Sequence, residues 1–248
     1  MDSFIAWVGG KKLLRKDIVA RFPKEFGRYI EVFGGAGWVL FYKERHANIE
    51  VFNDVNSELI NLYRCIKFHE GELQKELEFV LNSRELFYDY QRDKGLTDIQ
   101  RAARFFTVLK FSYGATGKTF GGVKKNVSKA VDHLKEIQKR LSNVVVENKD
   151  FESLIKCYDR PDSLFYLDPP YYKTEGYYTA DFGEVDHERL ASILSKIKGK
   201  FVLSYNDCEY IRNLYHNYNI SEVKRNHNLV ARYSSKEKEY KELIITNF

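Results

Sequence analysis

The chain has 248 residues with 40 basic and 35 acidic side chains, so 40 − 35 gives a formal net charge of +5. Charged residues make up 30% and hydrophobic residues 44% of the chain, a balance that excludes a disordered tail and a membrane protein. No apolar run approaches the roughly 20 residues that span a bilayer, and the N-terminus shows no secretory signal pattern. Three scattered cysteines lack metal-ligand spacing. We therefore expect a soluble cytoplasmic protein without a metal site.

The N-terminal part alternates strands and turns. A short apolar run at Arg28–Phe33 predicts a strand and ends at Gly34-Gly-Ala-Gly37, and the apolar stretch Trp38–Tyr42 that follows predicts the start of a helix. A second strand is predicted at Ile49–Phe52 before Asn53-Asp54, and helical spacing runs over 59–66. This order is typical of the front half of a nucleotide-binding α/β unit.

The middle of the chain changes character. Residues 70–140 are rich in Lys, Glu, Leu and Phe at helical spacing, interrupted by a glycine-dense loop at 113–123. Strand-like runs then return, with helical patterns such as Leu190–Ile197 between them, at Val144–Val146, Leu164–Leu167, Phe201–Leu203 and Leu243–Thr246. The order predicts an α/β domain formed by residues 1–58 and 143–248, split by a mainly helical insertion at 59–142.

The most specific motif is Asp168-Pro-Pro-Tyr171, directly after the apolar run Leu164–Leu167. Pro169 and Pro170 can neither continue a helix nor donate to a sheet ladder, so they hold a rigid, extended turn. At the carboxyl end of a parallel strand, where open α/β folds bind ligands, this turn presents a carboxylate and an aromatic face to one small volume. We predict that these four residues bind and activate a target amine; the alternative is a structural turn with a capping Asp.

A second motif is the glycine turn Phe33-Gly-Gly-Ala-Gly37. Glycines let the backbone approach a ligand closely and leave amides free. The spacing lacks the third glycine of the dinucleotide fingerprint, which argues against an NAD-dependent dehydrogenase and favours a nucleoside without phosphates. Asp54, about one βαβ step onward, would accept both ribose hydroxyls, or alternatively cap a helix.

Several motifs together resemble Dam-type DNA adenine methyltransferases, in particular phage and prophage members. They occur in that family's order: Trp7-Val-Gly-Gly-Lys11, Phe33-Gly-Gly-Ala-Gly37, Asn53-Asp54, Asp168-Pro-Pro-Tyr171 and a last strand at Glu242-Leu-Ile-Ile-Thr-Asn247. The resemblance covers the chain from about residue 4 to its C-terminus. It implies a class I, Rossmann-like methyltransferase sheet with a helical target-recognition insertion, in a bacterial or phage-encoded protein.

The resemblance also implies an activity, site-specific methylation of the N6 amine of an adenine flipped out of double-stranded DNA. The methyl donor, S-adenosylmethionine, would be bound by Trp7, Lys11, Phe33, Gly35, Gly37, Asp54, Asp150, Phe151 and Asp168. Asp150 looks like the residue that touches the donor's adenine, although it could simply cap the short helix predicted at 151–155. Lys11 has an ordinary alternative as half of a solvated Lys11-Lys12 pair.

The chemistry fits this set of residues. A sulfonium already activates the methyl group, so the protein needs neither a metal nor a nucleophile and must hold the amine in line with the methyl carbon. Hydrogen bonds from the amine to the Asp168 carboxylate and the Pro169 carbonyl would raise the electron density on nitrogen and stabilise its growing positive charge. Tyr171 would stack on the extruded base, because the amine cannot be reached inside a duplex.

The insertion contains a basic loop. Residues 110–129 include five lysines and no acidic residue. Lysine contacts to phosphates give salt-dependent affinity. We therefore predict that this loop contacts DNA through Tyr113, Lys118, Phe120, Lys124 and Lys125. The alternative is an ordinary solvated basic loop. The loop departs from the cellular Dam pattern, so a GATC target is not implied. A second basic stretch at 224–236 is either a DNA contact or a solvated hairpin.

Other functions remain open from the residues. The acceptor could be the cytosine N4 amine, RNA or a protein amide, although relatives that modify protein glutamine favour Asn where Asp168 stands. The chain could also be a non-catalytic DNA-binding relative. A cognate restriction endonuclease that acts on the same site is a partner that the sequence leaves open.

Overall fold

A single sheet organises the molecule. The computed structural model describes residues 1–122, 128–173, 182–226 and 239–248, and of residues 128–130, 224–226 and 239–240 the backbone alone. The strands within these ranges are β1 (Arg28–Glu31), β2 (Ile49–Asn53), β3 (Val144–Glu147), β4 (Ser163–Leu167), β5 (Lys200–Asn206), β6 (Asn219–Asn226) and β7 (Glu239–Thr246). They form one seven-stranded sheet in the order β3-β2-β1-β4-β5-β7-β6.

The direction of the strands confirms the predicted α/β class and Rossmann-like sheet. β3, β2, β1, β4 and β5 run parallel, and β7 is antiparallel to both of its neighbours, β5 and β6. The carboxyl ends of the parallel strands therefore meet at one edge of the sheet, where open α/β folds bind ligands. The motifs that follow β1, β2 and β4 all lie at this edge.

Except for α1, which precedes β1, the helices lie in connections between strands. Within the described residues they are α1 (Arg15–Ala20), α2 (Ser57–Phe68), α3 (Glu70–Glu78), α4 (Arg84–Arg92), α5 (Asp98–Phe111), α6 (Ser128–Leu141), α7 (Phe151–Tyr158), α8 (Glu184–Leu194) and α9 (Glu209–Leu214). Five of these, α2 to α6, lie between β2 and β3, as the helical periodicity of the middle region predicts. Side chains define their starts: Asn56 caps α2, and Thr97 and Gln100 form a capping box on α5.

Three features differ from the sequence prediction. The helix predicted from Trp38 to Tyr42 is wrong, because only a single 3₁₀ turn forms there, at Leu40–Tyr42. The sequence does not predict strand β6, because Asn219–Asn226 is polar and shows no apolar run. It forms the edge of the sheet, where a strand has a neighbour on one side only. The short helices α1 and α9 were not predicted either, because six residues are too few to show a periodic pattern.

The core lies on both faces of the sheet. On one face, an apolar cluster joins the sheet to α1, α2, α3, α5 and α6, with Phe52, Tyr63 and Phe106 fully buried in it. The other joins the opposite face to α7, α8 and α9, around Phe165 and Phe201. Helices α2, α3, α5 and α6 thus share a continuous core with the sheet, which fixes them relative to its carboxyl edge, and α4 packs on α5 in a smaller cluster around Phe87 and Phe111.

A buried ion pair fastens the middle region to the sheet. The Arg140 guanidinium, on α6, donates to both carboxylate oxygens of Glu50 in β2, at 2.8 and 2.7 Å. It also donates to the carbonyl oxygens of Leu40 and Lys43, each at 3.0 Å, on the chain that leaves the glycine turn. Both charged side chains are at most 5% exposed. Removing either partner would leave the other charge buried and unpaired.

We expect Arg140→Ala to lower the free energy of unfolding by about 3–5 kcal/mol, because Glu50 would keep its burial and lose its partner. Urea unfolding followed by circular dichroism measures this change. The matched control is Arg92→Ala, which breaks the exposed Arg92–Asp89 pair on α4 and should cost no more than about 1 kcal/mol. Equal losses in the two variants would contradict the role of the buried pair.

Candidate active site

A buried ion pair lies at the centre of the carboxyl edge. Asp168 directly follows β4, and its Oδ1 accepts a hydrogen bond from Ser204 of β5 at 2.8 Å and pairs with the Lys11 ammonium at 2.8 Å. The Asp168 side chain is 17% exposed, so a ligand can reach it, whereas Lys11 is 4% exposed. Burial raises the pKa of the Asp168 carboxyl, and the charge of Lys11 opposes that shift.

Lys11 is part of this site and not of a solvated lysine pair. Its ammonium donates to the Gly9 carbonyl at 2.9 Å and lies 4.6 Å from the centre of the Tyr171 ring. Lys12 points away and pairs with Asp2 at the surface. The alternative that both lysines form one solvated pair is therefore wrong.

Side chains of strands β5 and β7 hold the segment Asp168–Tyr172 by hydrogen bonds. Ser204 binds Asp168, and the Asn206 amide donates to the Tyr172 carbonyl and accepts from its N–H, at 3.2 and 3.1 Å. The Tyr171 hydroxyl donates to Glu242 of β7 at 2.5 Å. Three sheet side chains thus fix the segment that the two prolines stiffen, as the motif predicts.

The glycine turn brings two other predicted residues together. Gly35 has a φ of +50°, and its N–H donates to Asp54 Oδ2 at 2.9 Å. A Cβ on Gly35 would come within 2.8 Å of the Trp7 ring, so glycine lets Trp7 lie against the turn. Burial raises the pKa of the Asp54 carboxyl. The turn, Trp7 and the carboxylate form one wall.

Asp54 does not cap the following helix. Asn56 accepts from the amides of Glu58 and Leu59 and is the cap of α2, while Asp54 Oδ1 accepts from the Asn56 N–H. The capping alternative is therefore wrong. Its neighbour Asn53 is buried and joins three strand ends, because its side chain bonds the Val32 carbonyl and both the N–H and carbonyl of Lys149.

A cavity of about 480 Å³ connects these walls, within the usual size of a small-molecule site. It extends from the carboxyl edge of the sheet to α4, α5 and the loop after α5. Of the residues predicted from sequence, those that line it are Trp7, Lys11, Phe33, Gly35, Asp54, Asp168, Pro170 and Lys118. The structure therefore brings the glycine turn and the Asp168 segment to one shared space.

Three other predicted donor-binding residues, Gly37, Asp150 and Phe151, do not line the cavity. Gly37, with a φ of +66°, supports the turn against Phe41. Phe151 is buried against Phe33, with ring centres 5.8 Å apart. Asp150 is exposed and caps α7 by accepting from the Glu152 N–H, so the capping role that the sequence leaves open is present. Donor contacts by these residues stay predictions.

The basic loop after α5 is partly exposed. Tyr113 is 67% exposed and Lys118 lies at the surface of the cavity, whereas the Phe120 ring packs on Phe87 at 5.6 Å beneath Arg84. Lys124 and Lys125 lie outside the described residues, as does the centre of the second basic stretch. DNA contacts by this loop stay predictions.

The sequence prediction missed a group of cations across the cavity from the glycine turn. Lys94, Arg101 and Arg104 line it, and Glu58 of α2 pairs with Arg101 at 3.0 Å and with Lys94 at 3.5 Å. The two arginines are three residues apart on α5, a spacing that places side chains on one helix face. Their position across the cavity depends on tertiary packing, which that spacing does not reveal.

Glu31 is a second missed residue. It ends β1, is 2% exposed, lines the cavity and accepts a hydrogen bond from the Tyr29 hydroxyl at 2.7 Å. Burial raises the pKa of this carboxyl to about 8, an effect that the Tyr29 hydrogen bond opposes. An acidic residue inside an apolar strand, just before a glycine turn, was the available signal.

The described parts of the chain lack two kinds of feature. No helix there has both the length and the apolar composition that crossing a membrane requires. No group of three or more His, Cys, Asp or Glu side chains in those ranges is arranged to hold a metal ion.

Comparison with known proteins identifies the family. Residues 7–229 match the model of the D12 class of N6 adenine-specific DNA methyltransferases. The chain is 28% identical over its full length to Type II methyltransferase M.MjaIII of Methanocaldococcus jannaschii, covering 99% of that protein. It is 30% identical over its full length to Type II methyltransferase M1.LlaDCHI of Lactococcus lactis subsp. cremoris, covering 96% of that protein. For the DNA adenine methylase of Haemophilus influenzae the identity is 25%, over 89% of this chain and 85% of that one.

The chain therefore belongs to the D12 class of N6 adenine-specific DNA methyltransferases. It is an enzyme that methylates adenine in DNA, with a methyl donor as its second substrate. The fold and the activity expected from the motifs are confirmed.

The Glu31 carboxyl makes stability depend on pH. It holds its proton up to about pH 8 in the folded state, whereas its ordinary pKa is 4.5. Between these values the folded state binds the additional proton, so the free energy of unfolding falls as pH rises through this window. We expect Glu31→Gln to match the wild type near pH 4.5 and to be more stable at pH 8.5 by on the order of 2–4 kcal/mol.

Urea unfolding at pH 4.5, 6.5 and 8.5 measures this difference. The control is Glu25→Gln at an exposed position, which should keep the pH dependence of the wild type. If the free energy of unfolding changes with pH in the same way in Glu31→Gln and in the wild type, burial does not raise the pKa of this carboxyl.

Proposed function

We propose that the enzyme transfers the methyl group of S-adenosylmethionine to the N6 amine of an adenine that is flipped out of double-stranded DNA at a specific site. One observation carries the proposal: Asp168 opens onto the same cavity as the glycine turn and Asp54. An amine bound to Asp168 would then lie beside a nucleoside bound at the turn, which is the arrangement that direct transfer requires.

The cavity suits this donor by size and charge. Its walls combine the aromatic rings of Trp7 and Phe33 with the carboxyl groups of Glu31 and Asp54. Aromatic faces attract a cation such as a sulfonium, and Asp54 is proposed to accept from ribose hydroxyls. Besides these, the residues proposed to hold the donor are Lys11, Gly35, Gly37, Asp150, Phe151 and Asp168.

The protein's part in catalysis is to hold and polarise the amine. S-adenosylmethionine supplies a methyl group activated by its sulfonium. The Asp168 carboxylate accepts a hydrogen bond from the amine and stabilises the positive charge that develops as the nitrogen–carbon bond forms and the sulfur–carbon bond breaks. The nitrogen then loses one proton, for which we propose this carboxylate as the acceptor. Pro169 and Pro170 keep the segment rigid.

The flipped base and the DNA need further contacts. Tyr171 is proposed to stack on the base, and since Lys11 lies over its ring, the lysine must shift for stacking on that face. Residues 59–142 are proposed as the target-recognition part, because side chains of α4, α5 and the loop after α5 line the same cavity as the Asp168 turn. Phosphate contacts are proposed for the loop after α5, by Tyr113, Lys118, Phe120, Lys124 and Lys125.

Two of the relatives are named Type II methyltransferases, which supports a role in restriction–modification. A cognate restriction endonuclease would then cut the same DNA site when the adenine is unmethylated. The site itself follows from sequencing modified bases in DNA that the enzyme has treated.

The test of function uses unmethylated plasmid DNA and S-adenosylmethionine with a labelled methyl group. After digestion to nucleosides, we expect the label in N6-methyldeoxyadenosine. Asp168→Asn should lower kcat by about 100-fold or more, because the amide has lost the charge that stabilises the transition state. Label in N4-methylcytosine alone would overturn the proposed acceptor.

The control for this substitution is Asp17→Asn at an exposed position of α1, which should keep wild-type kcat. Circular dichroism verifies that both variants fold. A folded Asp168→Asn enzyme with wild-type kcat would remove Asp168 from the mechanism.

Donor binding has a built-in reporter. The chain's two tryptophans, Trp7 and Trp38, both line the cavity. We expect their fluorescence to change in a saturable way on titration with S-adenosylmethionine, and Asp54→Ala to weaken this binding by about 10-fold or more through loss of charge-assisted hydrogen bonds. S-adenosylmethionine that binds without changing the fluorescence, measured by calorimetry, would place the donor elsewhere.

A further inference from the structure

Glu242 is a buried carboxylate that contacts two residues of the site, Tyr171 and Lys11. It lies on β7 and is 4% exposed. Its Oε2 accepts the Tyr171 hydroxyl at 2.5 Å and lies 3.8 Å from the Lys11 ammonium. A buried carboxylate is costly unless its neighbours compensate, so a position with only a sheet-forming role would favour an apolar side chain.

Two carboxylates lie beside the single positive charge of Lys11. One ammonium lies between two carboxylates, Asp168 at 2.8 Å and Glu242 at 3.8 Å. Burial raises the pKa of Asp168, the nearby Lys11 lowers it, and the negative charge of Glu242 raises it again. Glu242 therefore reduces the extent to which Lys11 neutralises Asp168.

This balance matters because the lysine and the substrate amine use the same carboxylate. Within the described residues, Lys11 and Ser204 both bond Asp168 through Oδ1. Neither of them bonds Oδ2, so the substrate amine can donate there, but Oδ2 shares a negative charge that an ammonium 2.8 Å away offsets. A second carboxylate within 4 Å lets Lys11 move toward Glu242 while it stays paired.

We propose that Glu242 is a positioning residue for methyl transfer, which holds the Tyr171 hydroxyl and shares Lys11 with Asp168 so that the Asp168 carboxylate stays available to the adenine amine. This inference rests on the proposed function. Glu242 acts through its two neighbours, so its loss should affect the rate of transfer more than the binding of the donor.

The experiment measures kcat and the KM for S-adenosylmethionine with saturating unmethylated plasmid DNA. Glu242→Gln keeps the size of the side chain and an oxygen that accepts from Tyr171, but removes the charge that attracts Lys11. We expect kcat to fall about 10-fold or more while the KM for the donor stays within about threefold. Glu242→Ala, which also removes the acceptor for Tyr171, should lose more.

The matched control is Glu222→Gln on the neighbouring strand β6, where an exposed glutamate pairs with Arg212. It makes the same chemical change in the same sheet outside the site, and we expect wild-type kcat and KM. Thermal unfolding establishes that each variant folds, and if Glu242→Ala does not, the isosteric Glu242→Gln decides.

A double-mutant cycle isolates the route through Tyr171. Tyr171→Phe removes only the hydroxyl, so its effect on kcat should be smaller in the Glu242→Ala background than in the wild type. Effects that multiply, or a folded Glu242→Gln enzyme with wild-type kcat, would overturn the inference. A wild type that forms no N6-methyladenine would instead overturn the proposed function, so the two failures are distinguishable.

Discussion

The arrangement of the site depends on one buried ion pair, Lys11 with Asp168. An ammonium that is 4% exposed needs a carboxylate beside it, and the N-terminal segment is thereby joined to the turn after β4. The same contact sets the electrostatics of the Asp168 carboxylate, since burial raises its pKa and the lysine lowers it. Structure and chemistry thus share one interaction, and two groups that adjust it, Ser204 and Glu242, come from β5 and β7, the next two strands of the sheet beside β4.

The cavity belongs to two parts of the chain at once. Its floor is the carboxyl edge of the sheet, and its opposite wall carries Arg101, Arg104 and Lys118 from the helical middle region. The Arg140–Glu50 pair and the shared apolar core hold these parts together. These contacts set the distance between the two walls and therefore the width of the cavity.

The sequence predicted the fold well where the pattern was local and strong. The buried parallel strands, the helices of the middle region and the rigid Asp168-Pro-Pro-Tyr171 turn all appear where they were expected. Two kinds of feature escaped. Trp38–Tyr42 is apolar because it packs in the core and not because it forms a helix, and β6 is polar because it lies at an edge.

By itself, the sequence determined that the Asp168 turn and the glycine turn follow strands β4 and β1, because short motifs fix backbone geometry through proline and glycine; the chemistry of their residues is a prediction from the same motifs. Only the tertiary structure decided which distant charges surround them. That Lys11 is buried and not solvated, that Glu31 faces the cavity and that Glu242 reaches Tyr171 all depend on contacts between residues up to 231 positions apart, as 242 − 11 gives for Lys11 and Glu242. Burial and charge pairing are properties of the packed chain, and local sequence patterns do not encode them.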